Sequence, residues 1–170
     1  AILFGMLLPL SMAPFDGSPL GIISITGLTA IISGEQSART RFMRTLCFGL
    51  GVYGVGASWI YISIHDYGQA SVALSLLLIV PFIVFLAALL AIPFFILSKS
   101  LNSASAATLL LTFTSLWTLG EWFRGWAFTG FPWLYLGYGH TDTWLSGWAP
   151  ISGVLGISWI TAFCGALLAL

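Results

Sequence analysis

From Ala70 to Leu97 the chain reads "ASVALSLLLIVPFIVFLAALLAIPFFIL", with no ionisable side chain anywhere in the run. That suits a helix crossing the hydrocarbon of a bilayer, for which about 20 apolar residues suffice. Within lipid, every backbone N–H and C=O must find a partner inside the protein, which leaves helices or closed barrels. Long continuous runs, rather than short alternating blocks, select helices. Composition agrees: 59% of residues are hydrophobic and 6% are charged, with a formal net charge of zero. That balance offers nothing to nucleic acid, and the few charges can be read one by one. The expected fold class is all-α, a polytopic transmembrane helix bundle.

Six membrane segments can be drawn, over residues 1–12, 20–33, 42–62, 70–97, 104–123 and 151–170. Pro81 and Pro93 fall inside the fourth, where neighbouring helices can satisfy the freed carbonyls. The chain begins without Met and ends within an apolar run, so residues 1–170 read as one transmembrane domain belonging to a longer chain. Cys47 and Cys164 lie in apolar segments without metal-ligand spacing and read as small buried thiols. No metal or cofactor is implied.

Arg39, Arg41, Arg44 and Lys99 fall in the second and fourth loops, on one side of an alternating bundle. The positive-inside rule makes residues 34–41 and 98–103 cytoplasmic, and residues 13–19, 63–69 and 124–149 outer or periplasmic. Arg124 then stands on the outer side, against the rule. Small residues also form stripes, Cys47, Gly51, Gly54 and Ser58 on the third helix and Ser158, Ala162, Gly165 and Ala169 on the sixth. Such stripes are expected to be seams where helices approach closely.

The segment "GEWFRGWAFTGFPWLYLGYGH", residues 120–140, is the candidate site. Glu121 and Arg124 are three positions apart, so on one helix they share a face and can pair. Charge at membrane depth is costly and normally serves a bundle interior or a wet cavity. Gly130 and Pro132 then break the helix, and the residue before proline, Phe131, is pushed toward extended backbone. Residues 133–150 are too apolar for an open loop and too broken for a span. They suit an interfacial segment between the fifth and sixth helices, with Trp133, Tyr135, Tyr138 and His140 beside a cavity open to lipid. An arginine next to aromatic rings can hold a phosphate head group while the rings contact acyl chains.

The stretch "EWFRGWAFTGFPWLYLGY" resembles the E-x-x-R-G-W-x-x-T-G-F-P-W-x-x-x-G-Y segment of bacterial apolipoprotein N-acyltransferases. "APFDGSPLG", "GVYGVGASWIYISIHDYG" and "GWAPISGVLGISW" resemble that family's outer turn, third helix and sixth-helix start, in the same order. The resemblance implies a bacterial inner-membrane enzyme with no cofactor. Its partners are a phospholipid acyl donor, a diacylglyceryl apolipoprotein acceptor and membrane lipid. In the family, a thioester forms on a nucleophilic Cys with Glu and Lys partners in a nitrilase-like domain on the outer side. No residue here matches that catalytic set, so the resemblance implies the membrane domain, with Glu121, Arg124, Gly130, Phe131, Pro132, Trp133, Tyr138 and His140 as lipid-binding or supporting residues. It would anchor the catalytic domain and form the lipid entrance. Two other readings stand beside it, a small transporter or channel and a non-enzymatic membrane scaffold. The transporter would use Glu121, Arg124, His65 and Asp66, but these cluster at one boundary, and the third, fourth and sixth segments carry no mid-membrane charge.

Overall fold

The computed structural model describes residues 1–34, 37–98 and 105–170, and every regular element among them is helical. Helix α1, Ile2–Leu7, runs into a 3-10 turn at Pro9–Ser11. Helix α2 is Ser18–Ser33 and α3 is Ala38–Gly56. A short α4, Trp59–Ile62, continues into a π-helical turn at Ser63–Tyr67. Helix α5 is Val72–Ile96, α6 is Ala106–Arg124 and α7 is Ala149–Ala169. Lys99 and the expected start of the fifth segment at residue 104 lie outside the described residues, as do loop residues 35 and 36.

Local chemistry sets these starts. The side chains of Ser37, Ser71 and Ser105 accept the backbone N–H groups of Thr40, Leu74 and Thr108, so α3, α5 and α6 each begin on a serine cap. Helix α5 contains both Pro81 and Pro93 as one element. The third segment is not straight: α3 and the helix after it meet at a 48° bend. Gly153, at φ +65°, interrupts α7 near its start, a conformation open to glycine.

Among the described residues, two helices are long and apolar enough to cross a membrane, Val72–Ile96 and the stretch Trp144–Ala169 that ends in α7. The bent pair over Ala38–Tyr67 makes a third if counted as one span. Six spans are thus more than helix length and apolarity support. Residues 2–11 and Ser18–Ser33 are apolar but short, and α6 ends in Glu121 and Arg124.

Packing follows the small residues, though not along the whole expected stripe. A Cβ at Gly49 would sit 2.8 Å from the Ala87 Cα, so α3 lies directly on α5. One at Gly51 would run into the Ile2 carbonyl of α1, and one at Gly165 would sit 2.8 Å from the Ile25 Cβ of α2. Ser158 and Ala162 of the α7 stripe are wholly buried. By contrast, Gly54 faces open space and Ser58 is exposed. Helix α1 covers the face carrying Gly51 and leaves Gly54 bare. Cys164 is exposed on α7 and Cys47 only half-buried, so neither is the enclosed thiol expected.

The bundle has two chemically distinct ends. At one, the wholly buried Arg41 donates from Nε to the Ile32 carbonyl at 3.2 Å, and from one terminal nitrogen to the Ser98 carbonyl and hydroxyl at 3.0 and 2.6 Å. Arg44 donates to the Ile31 carbonyl at 2.7 Å. Both thereby satisfy carbonyls left over where helices end. At the other end, the close of α3, the start of α2 and the close of α6 surround the broken segment.

Candidate functional site

Helix α6 ends at Arg124, and a few residues on the chain turns left-handed. Phe128, Thr129 and Gly130 have φ of 54°, 76° and 85° in succession. A Cβ at Gly130 would strike the Gly125 carbonyl, so glycine is required there on both counts. The Phe131 N–H closes the turn on the Arg124 carbonyl at 2.7 Å. Residues 131–135 then run without helix, exposing backbone groups that need partners in an apolar setting.

Arg124 and Glu121 supply those partners from the last turn of α6. The Arg124 side chain, 5% exposed, donates to the Phe131 carbonyl at 2.7 Å, to the Trp133 carbonyl, and at 3.4 Å to the Leu134 carbonyl. Its guanidinium carbon lies 5.1 Å from the Tyr135 ring centre and 5.5 Å from that of Tyr53. Both distances are within cation–π range. Glu121, equally buried, accepts the Leu136 N–H at 2.7 Å and the Trp117 indole N–H at 3.0 Å, both on Oε1. The Gly137 N–H donates to Ser158 of α7 at 2.8 Å.

The direct Glu121–Arg124 pair expected from the sequence is therefore not made. Oε1 is taken by Trp117 and Leu136, and Oε2 meets hydrogen-bond geometry with none of the described residues. The broken backbone offers closer donors and acceptors than the two side chains offer each other. Both charges instead hold the same segment, one by its carbonyls and the other by an N–H. The arginine expected on the outer side, against the charge-sorting rule, is an internal brace with donors turned toward carbonyls.

A pocket of ≈ 80 Å³ lies between α5 and the turn at residues 127–131, against Arg124. Two further recesses border the segment. One is a small enclosed chamber lined by Tyr53, Leu89, Leu90, Trp117, Glu121, Arg124 and Leu134 among others, with room for about one water. The other is a groove of ≈ 340 Å³ between the turn after α1, the end of α3 and the broken segment. Pro9, Met12, Phe15, Val55, Trp59, Trp133, Leu134 and Tyr138 line it, and no charged residue among those described does.

The expected site residues divide accordingly. Trp133 and Tyr138 line the groove and are half-exposed. Phe131 is buried beneath them, edge-on to Phe82 of α5. Pro132 is exposed. His140 is buried and faces Thr143 at 3.2 Å, and burial holds its imidazole below the usual histidine range. It sits in the fold of the segment, apart from the groove lining. Trp117, Tyr53, Leu134, Leu136 and Ser158 join the site without having been expected there. Trp117 was within reach, since it precedes Glu121 by four and shares its helix face. Ser158 was visible only as part of a packing stripe.

A bundle of apolar helices, two of them long and apolar enough to span a bilayer among the described residues, is that of an integral membrane protein. Its relatives name its kind. The chain belongs to the family described as the apolipoprotein N-acyltransferase N-terminal domain, which matches residues 4–167. It is 44% identical over 169 residues to the apolipoprotein N-acyltransferase of Azotobacter vinelandii, covering 99% of this chain and 33% of that protein. It is 44% identical to that of Pseudomonas syringae pv. tomato over 170 residues, and 40% identical to that of Coxiella burnetii over 164. The last two alignments cover 99% and 96% of this chain, and 33% and 34% of the relatives. The chain thus spans about a third of the length of these relatives.

Proposed function

We propose that this chain is the membrane part of an enzyme that transfers an acyl chain from a phospholipid to the N-terminal amine of a diacylglyceryl lipoprotein, and that its broken segment is the lipid entrance. The observation that carries the reading is the match of nearly the whole chain to the N-terminal domain of enzymes with that name. The groove supports it, because an uncharged aromatic recess at the end of a bundle suits hydrocarbon. In this reading the thioester chemistry belongs to the nitrilase-like domain of the longer protein, and this part anchors it. Residues 1–170 contribute six membrane segments, the short α1 and α2 among them, in the bacterial inner membrane. The Arg41 end faces the cytoplasm and the Arg124 end faces outward.

Arg124 serves this function through the backbone that it holds. By hydrogen bonds to carbonyls 131, 133 and 134, it fixes the rim of the groove. In the full-length protein, Arg124→Ala removes these charged hydrogen bonds, each worth about 1.5–3 kcal/mol. It should strongly reduce lipoprotein N-acylation. Arg124→Lys keeps the charge but loses the planar fork, so it should fall between. Wild-type acyl transfer by Arg124→Ala at undiminished protein level would sink the proposal.

A further inference from the structure

Leu134 occupies an unusual position. Its backbone is left-handed, at φ 62°, which a bulky residue rarely adopts. Strain of this kind persists only where the surroundings impose it, and it gathers at functional sites. Here the surroundings are Arg124, which holds the carbonyls of Trp133 and Leu134, and Gly56 of α3. A Cβ at Gly56 would lie 2.6 Å from both Leu134 methyl carbons, so the leucine fills the space that the glycine leaves. Its side chain also borders both recesses, the open groove on one side and the enclosed Glu121 chamber on the other. Leu134 is the wall between them.

We infer that Leu134 closes the inner end of a groove for one acyl chain of the donor phospholipid, and so sets the chain length that is accepted. The inference rests on the lipid-entrance proposal. The groove has no charged lining, which excludes a head group and suits hydrocarbon. Its rim residues Phe15, Trp59 and Trp133 are exposed and apolar. A volume of ≈ 340 Å³ is at the small end for ligand pockets, which typically reach about 1,000 Å³. That is room for a single chain. In the lipid-entrance reading it is the donor whose acyl chain enters from the bilayer, so the donor's chain is the occupant.

The test uses the full-length protein in detergent–lipid micelles, with synthetic phospholipid donors of graded acyl length competing for one lipopeptide acceptor. Leu134→Ala should shift the preferred donor toward longer chains, and the bulkier Leu134→Phe toward shorter ones. Each step in relative kcat/KM should be about tenfold, the low end of what one methylene is worth in a hydrophobic pocket. Leu134→Val removes one methylene and keeps the test open if the alanine variant does not accumulate, with a smaller shift in the same direction. An unchanged length preference in active variants overturns the inference, as does a shift that follows the acceptor's chains and not the donor's. A uniform loss at every donor length also overturns it, while leaving the lipid entrance intact. The entrance reading fails separately, if widening the rim by Trp133→Ala and Trp59→Ala leaves turnover of every lipid unchanged.

Discussion

The Glu121 carboxylate accepts the Leu136 N–H across fifteen positions of chain, at 2.7 Å, from the last turn of α6 to the far side of the helix break. The same oxygen takes the Trp117 indole. Glu121→Ala therefore strands two buried donors, each at a cost of about 1–3 kcal/mol. Glu121→Gln keeps an acceptor for them and should cost less. Thermal unfolding of the full-length protein in detergent should rank wild type above Gln and Gln above Ala. Equal melting of wild type and Ala would mean that the carboxylate does not brace the segment.

The glycines of α3 are not equivalent. Gly51→Leu must displace α1, because even a Cβ would meet the Ile2 carbonyl. Overpacking of that sort costs about 1–3 kcal/mol or more. Gly54→Leu enters open space and should leave the melting temperature nearly unchanged. The reverse order in detergent melting would mean that another helix lies against Gly54.

Orientation is read from charge and can be checked by labelling. Ser37 and Thr141 are exposed at opposite ends of the bundle. A cysteine at position 141 should react with an impermeant thiol reagent added from the periplasmic side, and one at position 37 only after the membrane is opened. Labelling in the opposite order would invert the proposed topology.

Much of this arrangement is legible in the chain because the relevant physics is local. Long apolar runs announce α5 and α7, and Gly130 with Pro132 announces the break. The two charges beside the break announce that something must hold it. What they hold depends on contacts that local spacing does not encode. A spacing of three suggests that Glu121 and Arg124 bind each other, yet the freed backbone of residues 131–136 takes both. Tyr53 reaches Arg124 from α3, and Ser158 reaches Gly137 from α7. Neither has a periodic signature that ties it to the segment. Leu134 is the extreme case, an ordinary leucine whose role comes from its backbone angle and from a glycine on another helix.

The central claim is that the segment held by Glu121 and Arg124 receives phospholipid hydrocarbon from the bilayer. The most direct measurement is photocrosslinking of the full-length protein, reconstituted with a phospholipid that carries a photoreactive group along one acyl chain, followed by peptide mapping. The expected result is adducts on the groove lining, at Trp133, Tyr138 and the facing Trp59, which nonreactive phospholipid competes away. Adducts confined to the exposed face of α5, at Leu76, Leu77 and Leu78, with none on residues 131–138, would contradict it.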